Sequence, residues 1–290
     1  MIERKEATKS RPNRILYHQN NSADQVTLVC IGSIHGNEPA GVKGLQNVIS
    51  QIEENDIKFQ GNFYALVGNI RALNKQKRFL DFDLNRVWTK EQINDLKASH
   101  CYTKSEDKEQ FELYNDLKII LEAHQGKFVF IDLHTTSSYT LPFITISDSL
   151  NNRAIARTFN LPIVLGIEEY LDGPLLTYMN EFGHTSLGFE AGQHNAEHSI
   201  VHCEGFVWLI LLQLKIVQKE DFDYFKYKAI MNLKRGFYEI VHRQGLEEGN
   251  SFQMRLGFRN FDKIKKHDTV HVHKLNMESL MKDSHLNTQI

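Results

Sequence analysis

The stretch VTLVCIGSIHGNEPAG, residues 26–41, combines an apolar run, a glycine-containing turn and the start of a helix. Its first eight residues are almost continuously apolar, which is typical of a strand buried on both faces. Pro39 is a favourable first-turn residue, and we predict that the helix continues as AGVKGLQNVISQIEE. A buried strand that leads through a turn directly into a helix is typical of α/β folds.

Four further apolar runs have the same character as the first. They are NFYALVGN (62–69), KFVFIDLH (127–134), PFITIS (142–147) and TSLGFEAG (185–192). Helices are predicted between them, one from Ser105 to Gly126 and another from about Ala196 through FVWLILLQL. This alternation predicts an α/β fold with a central, mostly parallel (mixed) sheet flanked by helices. Ligands of such sheets bind at the carboxyl ends of the strands.

The character of the sequence changes after about residue 235. RLGFRNFDKIKKHDTVHVHK has short alternating runs and turn residues, which favour a small β-rich appendage. We therefore predict a main domain over 1–234 and a small β-rich C-terminal domain over 235–290. No clear element closes the sequence at Ile290, so we expect this C-terminal domain to be incomplete.

Composition narrows the class of protein and its partners. The 290 residues are 41% hydrophobic and 24% charged, as in ordinary globular proteins, and the net charge of −2 gives no basis for binding nucleic acid or an anionic membrane. The N-terminus has no apolar export segment, and no apolar run is long enough to span a bilayer. Cys30, Cys101 and Cys203 are scattered, which favours a reduced cytoplasm. We expect a small-molecule partner, and the oligomeric state stays open.

Polar residues at two predicted strand ends have the composition of a metal site. His35 and Glu38 lie three residues apart in the turn after the first strand, and FIDLHTT ends another strand at His134. Two histidines and one glutamate are the ligand set of catalytic zinc in several hydrolases, with one ion per chain and a position left for water. Asp132 is placed to orient an imidazole. Ordinary hydrogen-bonded residues at strand ends are the alternative, and iron, cobalt or manganese would suit the same ligands.

Two further segments supply candidate catalytic and binding groups. Glu190, in GFEAGQHN, lies at an apolar strand end, where we expect either a general base beside the metal or a buried salt bridge to an arginine. Arg78, Asn85 and Arg86, in KRFLDFDLNRVW, offer donors suited to a carboxylate and a polarised carbonyl. Taken singly, these arginines could equally be solvated surface charges.

A histidine cluster forms a competing candidate. His194, His198 and His202 recur at every fourth residue, which predicts one helix face that forms either a second metal site or a polar surface. His271 and His273 alternate on a predicted strand and leave the same two interpretations open.

The motifs HGNE, DLNR with an arginine eight residues before its own, DLHTT and GFEAG resemble, in this order, the succinylglutamate desuccinylase/aspartoacylase family. The resemblance covers about residues 26–195, and GFRNFDKIKK is similar to the start of the family's C-terminal β domain. It implies a zinc-carboxypeptidase-like fold for the main domain and hydrolysis of the amide bond of an N-acyl amino acid. The implied zinc ligands are His35, Glu38 and His134.

The resemblance also implies roles for the remaining residues. Glu190 would activate the zinc-bound water and pass its proton to the departing amine, and Arg78 would stabilise the oxyanion. Asn85 and Arg86 would bind the carboxylate of the amino acid. The sequence departs from aspartoacylases at Asn180, where they place an arginine for the aspartate side chain. The acyl group and amino acid stay open, as do a carboxypeptidase-type peptidase and a non-catalytic protein that binds zinc or an acyl amino acid.

Overall fold

The computed structural model describes residues 13–99, 102–167, 170–241, 252–255, 257–258, 260–265 and 271–273. The chain divides into two compact units, Met1–Ile240 and Val241–Ile290. Strand Gly236–Glu239 pairs within the sheet of the first unit. The division that the sequence predicts after residue 234, and an incomplete C-terminal domain, stay predictions.

The first unit is built on an eight-stranded sheet. Its strands are β1 (Ile15–Gln19), β2 (Thr27–Gly32), β3 (Asn62–Val67), β4 (Phe128–Thr136), β5 (Phe143–Ile146), β6 (Pro162–Leu165), β7 (Thr185–Gln193) and β8 (Gly236–Glu239). They lie in the order β1-β3-β2-β4-β7-β5-β6-β8. Strands β3, β2, β4 and β7 are mutually parallel, whereas β1 and β5 each pair antiparallel with a neighbour. The sheet is therefore mixed, as predicted.

Helices cover both faces of this sheet. They are α1 (Ala40–Glu54), α2 (Ile70–Asn74), α3 (Lys90–Ser99), α4 (Ser105–Ala123), α5 (Leu150–Ala156), α6 (Leu175–Glu181), α7 (Glu197–Gln213) and α8 (Tyr224–Ile230), with short 3-10 turns at Leu84–Arg86 and Lys219–Asp221. Within the described residues, none of them combines the length and apolar content needed to cross a bilayer.

Alternating side chains of the central strands feed two separate cores. Leu28 of β2 packs into a core with α1 and α7, whereas the next residue, Val29, packs into a core with α4 and α6. All six residues of β2 are buried, which explains why this strand is apolar without alternation. The α/β fold with a mixed sheet flanked by helices is thus confirmed.

The second unit contains a short antiparallel pair of strands, β9 (Phe252–Met254) and β10 (His271–His273). Its side chains lie outside the described residues, so the interpretation of His271 and His273 as metal ligands stays untested. In the first unit Cys30 and Cys203 are buried free thiols, and Cys101 lies outside the described residues.

Candidate active site

The HGNE turn joins β2 to α1 through a tightly packed backbone. Ser33 adopts a left-handed conformation (φ 58°), and its Oγ donates to the carbonyl of Glu38 at 2.9 Å. A Cβ on Gly36 would lie 2.1 Å from the backbone carbon of Ala72, so only glycine fits there. This packing holds His35 and Glu38 at the carboxyl end of β2.

His35, Glu38 and His134 converge at this end of the sheet. One candidate ligand atom from each lies within 4.8 Å of the other two. The Nδ1 atoms of His35 and His134 lie 3.0 and 3.2 Å from the two oxygens of the Glu38 carboxylate. Among the described residues this is the one cluster of three or more such side chains with metal-binding geometry.

A carboxylate lies against the outer nitrogen of each imidazole. Nε2 of His134 is 2.7 Å from Oδ2 of Asp132, and Nε2 of His35 is 3.1 Å from Oδ1 of Asp83. Such contacts fix the ring orientation and leave Nδ1 facing inward. The predicted placement of Asp132 beside an imidazole is present in the structure.

The charges of the cluster are strongly coupled. Burial alone would raise the pKa of Glu38, but hydrogen bonds from His134 and His35 hold that pKa well below its usual range. Burial alone would lower the pKa of His134, but Asp132 and Glu38 together hold it well above its usual value. The cluster therefore concentrates negative charge where a cation would compensate it.

Glu190 lies beside His134, because β7 pairs with β4 in a register that aligns these two residues. Its Oε2 is buried without a hydrogen-bond partner, and no described ion pair involves its carboxylate. The alternative of a buried salt bridge to an arginine is therefore wrong for the described residues. Burial, with added repulsion from Glu38 and Asp132, raises the pKa of Glu190 to about 8, against the opposing effect of His134 and Arg78.

Arg78 reaches the metal-binding cluster from the segment before the 3-10 turn. Its guanidinium donates to Oδ2 of Asp83 from Nε (3.2 Å) and from a terminal nitrogen (2.9 Å). The other terminal nitrogen lies 3.5 Å from Glu38. Arg78 is therefore a fixed part of the site rather than a solvated surface charge.

Two hydrogen-bond acceptors shape the loop that carries Arg78. Asp83 caps the 3-10 turn by accepting from the backbone N–H of Asn85 at 2.9 Å. Glu106, fully buried in the first turn of α4, accepts from the backbone N–H groups of Leu80 and Asp81, both at 2.8 Å. A single carboxylate thus fixes the loop from behind.

Asn85 and Arg86 lie on the other side of the same cleft. Oδ1 of Asn85 accepts from the backbone N–H of Leu175 at 2.9 Å, which leaves its Nδ2 as a donor. The guanidinium of Arg86 donates to the carbonyl of Asn85 at 2.6 Å.

A cavity of about 250 Å³ joins these groups. Its polar lining includes the predicted residues His35, Glu38, Arg78, Asn85, Arg86, Asp132, His134 and Glu190. The structure therefore brings together all seven residues singled out for metal binding, catalysis and substrate binding, with Asp132 beside them.

The histidine cluster does not share one helix face. His194 precedes α7, and its Nδ1 lies 2.7 Å from Oγ1 of Thr135. His202 contacts the carbonyl of Ala191 at 2.7 Å, whereas His198 is exposed. The prediction of a common helical face was wrong for His194, because the helix begins only at Glu197.

Sequence reasoning missed several residues of the site. Asp83 and Thr135 lie within the quoted motifs DLNR and DLHTT, and the backbone N–H of Thr135 donates to Glu38 at 2.9 Å. A capping aspartate before a turn is a signal that could have identified Asp83. Nothing local could have identified Glu106, which acts on a loop 24 to 26 residues away.

The donor set fits a divalent cation with nitrogen and oxygen preference. Two inward imidazole nitrogens and one carboxylate match a three-ligand catalytic zinc site. Oδ1 of Asp132 and Oε2 of Glu190 are buried without a hydrogen-bond partner, and both residues line the cavity. Fold and site together define an α/β protein with a candidate metal centre in a cleft at its strand ends.

The family follows from comparison with known proteins. Residues 24–200 match the model of the succinylglutamate desuccinylase/aspartoacylase catalytic domain. The chain belongs to the succinylglutamate desuccinylase/aspartoacylase family. A succinylglutamate desuccinylase from Photorhabdus laumondii subsp. laumondii is 32% identical over 68 residues, and this match spans 23% of the chain but only 21% of that relative.

Solved structures share the fold at low sequence identity. The succinylglutamate desuccinylase from Chromobacterium violaceum matches with a TM-score of 0.55 at 15% identity, covering 78% of this chain and 72% of that one. The product-bound ectoine utilization protein EutE (DoeB) from Ruegeria pomeroyi matches with a TM-score of 0.62 at 17% identity, covering 88% and 74%. The predicted family resemblance is therefore confirmed.

Proposed function

We propose that the protein is a zinc-dependent amidohydrolase that cleaves the amide bond of an N-acyl amino acid. The observation that carries this proposal is the convergence of His35, Glu38 and His134 beside the unpartnered carboxylate oxygen of Glu190. Membership of a family named for desuccinylase and aspartoacylase enzymes supports an acyl amino acid as substrate.

The three ligands would hold one zinc ion per chain, which when bound supplies Lewis acidity and lowers the pKa of a coordinated water. Glu190 accepts the proton of the attacking water and then delivers it to the departing amine. Its position next to His134 across the β4–β7 pair places the carboxylate at the ligands without making it one of them.

The arginines and Asn85 would orient the substrate and stabilise charge. Arg78, fixed by Asp83, donates to the scissile carbonyl and to the oxyanion that develops there. Arg86 and the amide nitrogen of Asn85 bind the carboxylate of the amino acid. We expect the protein to work in the cytoplasm on small molecules, without nucleic acid or membrane partners.

Hydrolysis of a substrate panel tests this function. Zinc-loaded protein should release free amine from N-acetyl and N-succinyl amino acids and leave short peptides with a free C-terminus uncleaved. Faster cleavage of the peptides would favour a carboxypeptidase-type enzyme. Stoichiometric zinc with no cleavage of any member would contradict the proposal and favour a binding protein.

A further inference from the structure

We infer that the cavity selects N-acyl amino acids with a single carboxylate, a short uncharged acyl group and an uncharged side chain. The inference rests on the proposed function, because it assigns the substrate of the same cleft. It is based on the charges and the apolar wall of the cavity.

The described residues that line the cavity include two cationic side chains, Arg78 and Arg86. Arg78 is paired with Asp83 at 2.9 Å and lies 3.5 Å from Glu38. Its role at the scissile carbonyl uses its remaining donor capacity. Arg86 and Asn85 together can satisfy one carboxylate, the α-carboxylate of the amino acid.

A second substrate carboxylate would meet unfavourable surroundings. The same cavity is lined by the carboxylates of Glu38, Asp132 and Glu190. One zinc ion would compensate only part of this negative charge. An additional anion without its own cation would therefore be desolvated beside like charges, which is costly.

The remaining wall of the cavity is apolar. It is formed by Ile167, Leu171, Pro174 and Leu176, which lie between the end of β6 and the first turn of α6. Thr177 lines the same wall, and its Oγ1 is buried without a hydrogen-bond partner. Apolar side chains with one neutral hydroxyl suit an aliphatic or neutral polar group rather than a charge.

The apolar wall is held rigidly against the carboxylate-binding residues. The backbone N–H of Leu175 donates to Asn85, and the backbone N–H of Trp88 donates to the carbonyl of Gly173 at 3.0 Å. A substrate whose α-carboxylate is bound by Asn85 and Arg86 therefore has its side chain or acyl group against this wall. The volume of about 250 Å³ is below the usual range of about 300–1,000 Å³, which favours a short acyl group.

Isosteric substrate pairs separate charge from size. N-acetylglutamine and N-acetylglutamate differ almost only in charge, and N-acetylleucine represents the apolar side chain. We expect kcat/KM for glutamine and leucine to exceed that for glutamate by at least ~10-fold, and N-acetyl to exceed N-succinyl substrates by a similar factor. Equal or faster cleavage of the dicarboxylates would overturn the inference.

Binding to a protein that cannot turn over separates this inference from the proposed function. The dissociation constants of the same ligands are measured by calorimetry with zinc-loaded Glu190→Gln protein, and the same order is expected. Correct binding order without hydrolysis by the wild type would contradict the function and leave the selectivity. Preference for the dicarboxylates, or no binding of any ligand, would overturn the selectivity.

A charge added to the apolar wall gives the converse test. Ile167→Lys should narrow or reverse the preference for N-acetylglutamine over N-acetylglutamate. Ile119→Lys, on the exposed surface of α4 where the side chain is 61% accessible, is the matched control and should leave the ratio unchanged. Thermal unfolding of both variants checks that they fold. A folded Ile167→Lys protein with the wild-type ratio would contradict the assignment of this wall.

Discussion

Nε2 of His134 lies 2.7 Å from Oδ2 of Asp132, a fully buried carboxylate two residues earlier on the same strand. Residues two apart on a strand share a face, so DLH places an acid beneath its own histidine. Oδ2 can then accept the Nε2–H proton, which leaves the Nδ1 lone pair for a cation. Asp132 is thus a positioning residue for the candidate metal centre.

Asp132→Asn should weaken zinc binding. Asparagine keeps the size of the side chain but removes the charge that orients and polarises His134. We expect the zinc affinity to fall by about 10–100-fold. Competition with a chromogenic chelator measures this affinity. An unchanged affinity in a folded variant would show that Asp132 does not support the ligand.

Glu190→Gln should separate catalysis from metal binding. The amide retains the shape but cannot accept the proton of the attacking water, so turnover should fall by about 10²–10⁴-fold while zinc stays bound. Glu197→Gln, in the exposed first turn of α7, is the control and should retain activity. Wild-type turnover in the Glu190 variant would refute the assigned role.

Glu106→Gln should disturb the loop that carries Arg78. The glutamine amide would point its N–H2 group at a backbone donor of Leu80 or Asp81, which leaves a buried N–H group unpaired at about 1–3 kcal/mol. We expect a lower midpoint of urea unfolding and a reduced kcat/KM with zinc content unchanged.

The matched control is Glu122→Gln, which lies on the same helix in an exposed position. If both variants unfold and react like the wild type, Glu106 does not fix the loop.

His184 should make the protein sensitive to mild acid. Its ring lies 5.3 Å from that of Phe128, and burial lowers its pKa in the folded state. The unfolded chain therefore binds a proton first, near the ordinary histidine pKa of about 6.5, and this contribution to stability is lost as the pH falls below that value. His184→Gln should reduce the drop in the free energy of unfolding between about pH 7 and 5. Parallel stability–pH curves for the two proteins would contradict this.

The centre of the sheet and the metal-binding cluster were predictable because their signals are local. Strands β2 and β4 are buried on both faces, so each is a continuous apolar run, and His35 and His134 follow from where those runs end. The carboxyl ends of neighbouring parallel strands meet at one edge, which explains why residues about 100 positions apart converge.

The edges of the sheet were not predicted. β1 has no fully buried residue, β6 has four residues and β8 is mostly exposed, so none of them forms a long apolar run. The antiparallel direction of β5 also depends on tertiary pairing with β7, which no local pattern encodes. Glu106 was missed for the same reason, since its partners are distant in sequence.

The number of zinc ions bound by single-site variants tests the central claim most directly. After chelation and reloading, elemental analysis should find one zinc per wild-type chain and far less in folded His134→Ala protein. His198→Ala, which removes an exposed histidine, should retain the full amount. One zinc per chain in His134→Ala would contradict the account.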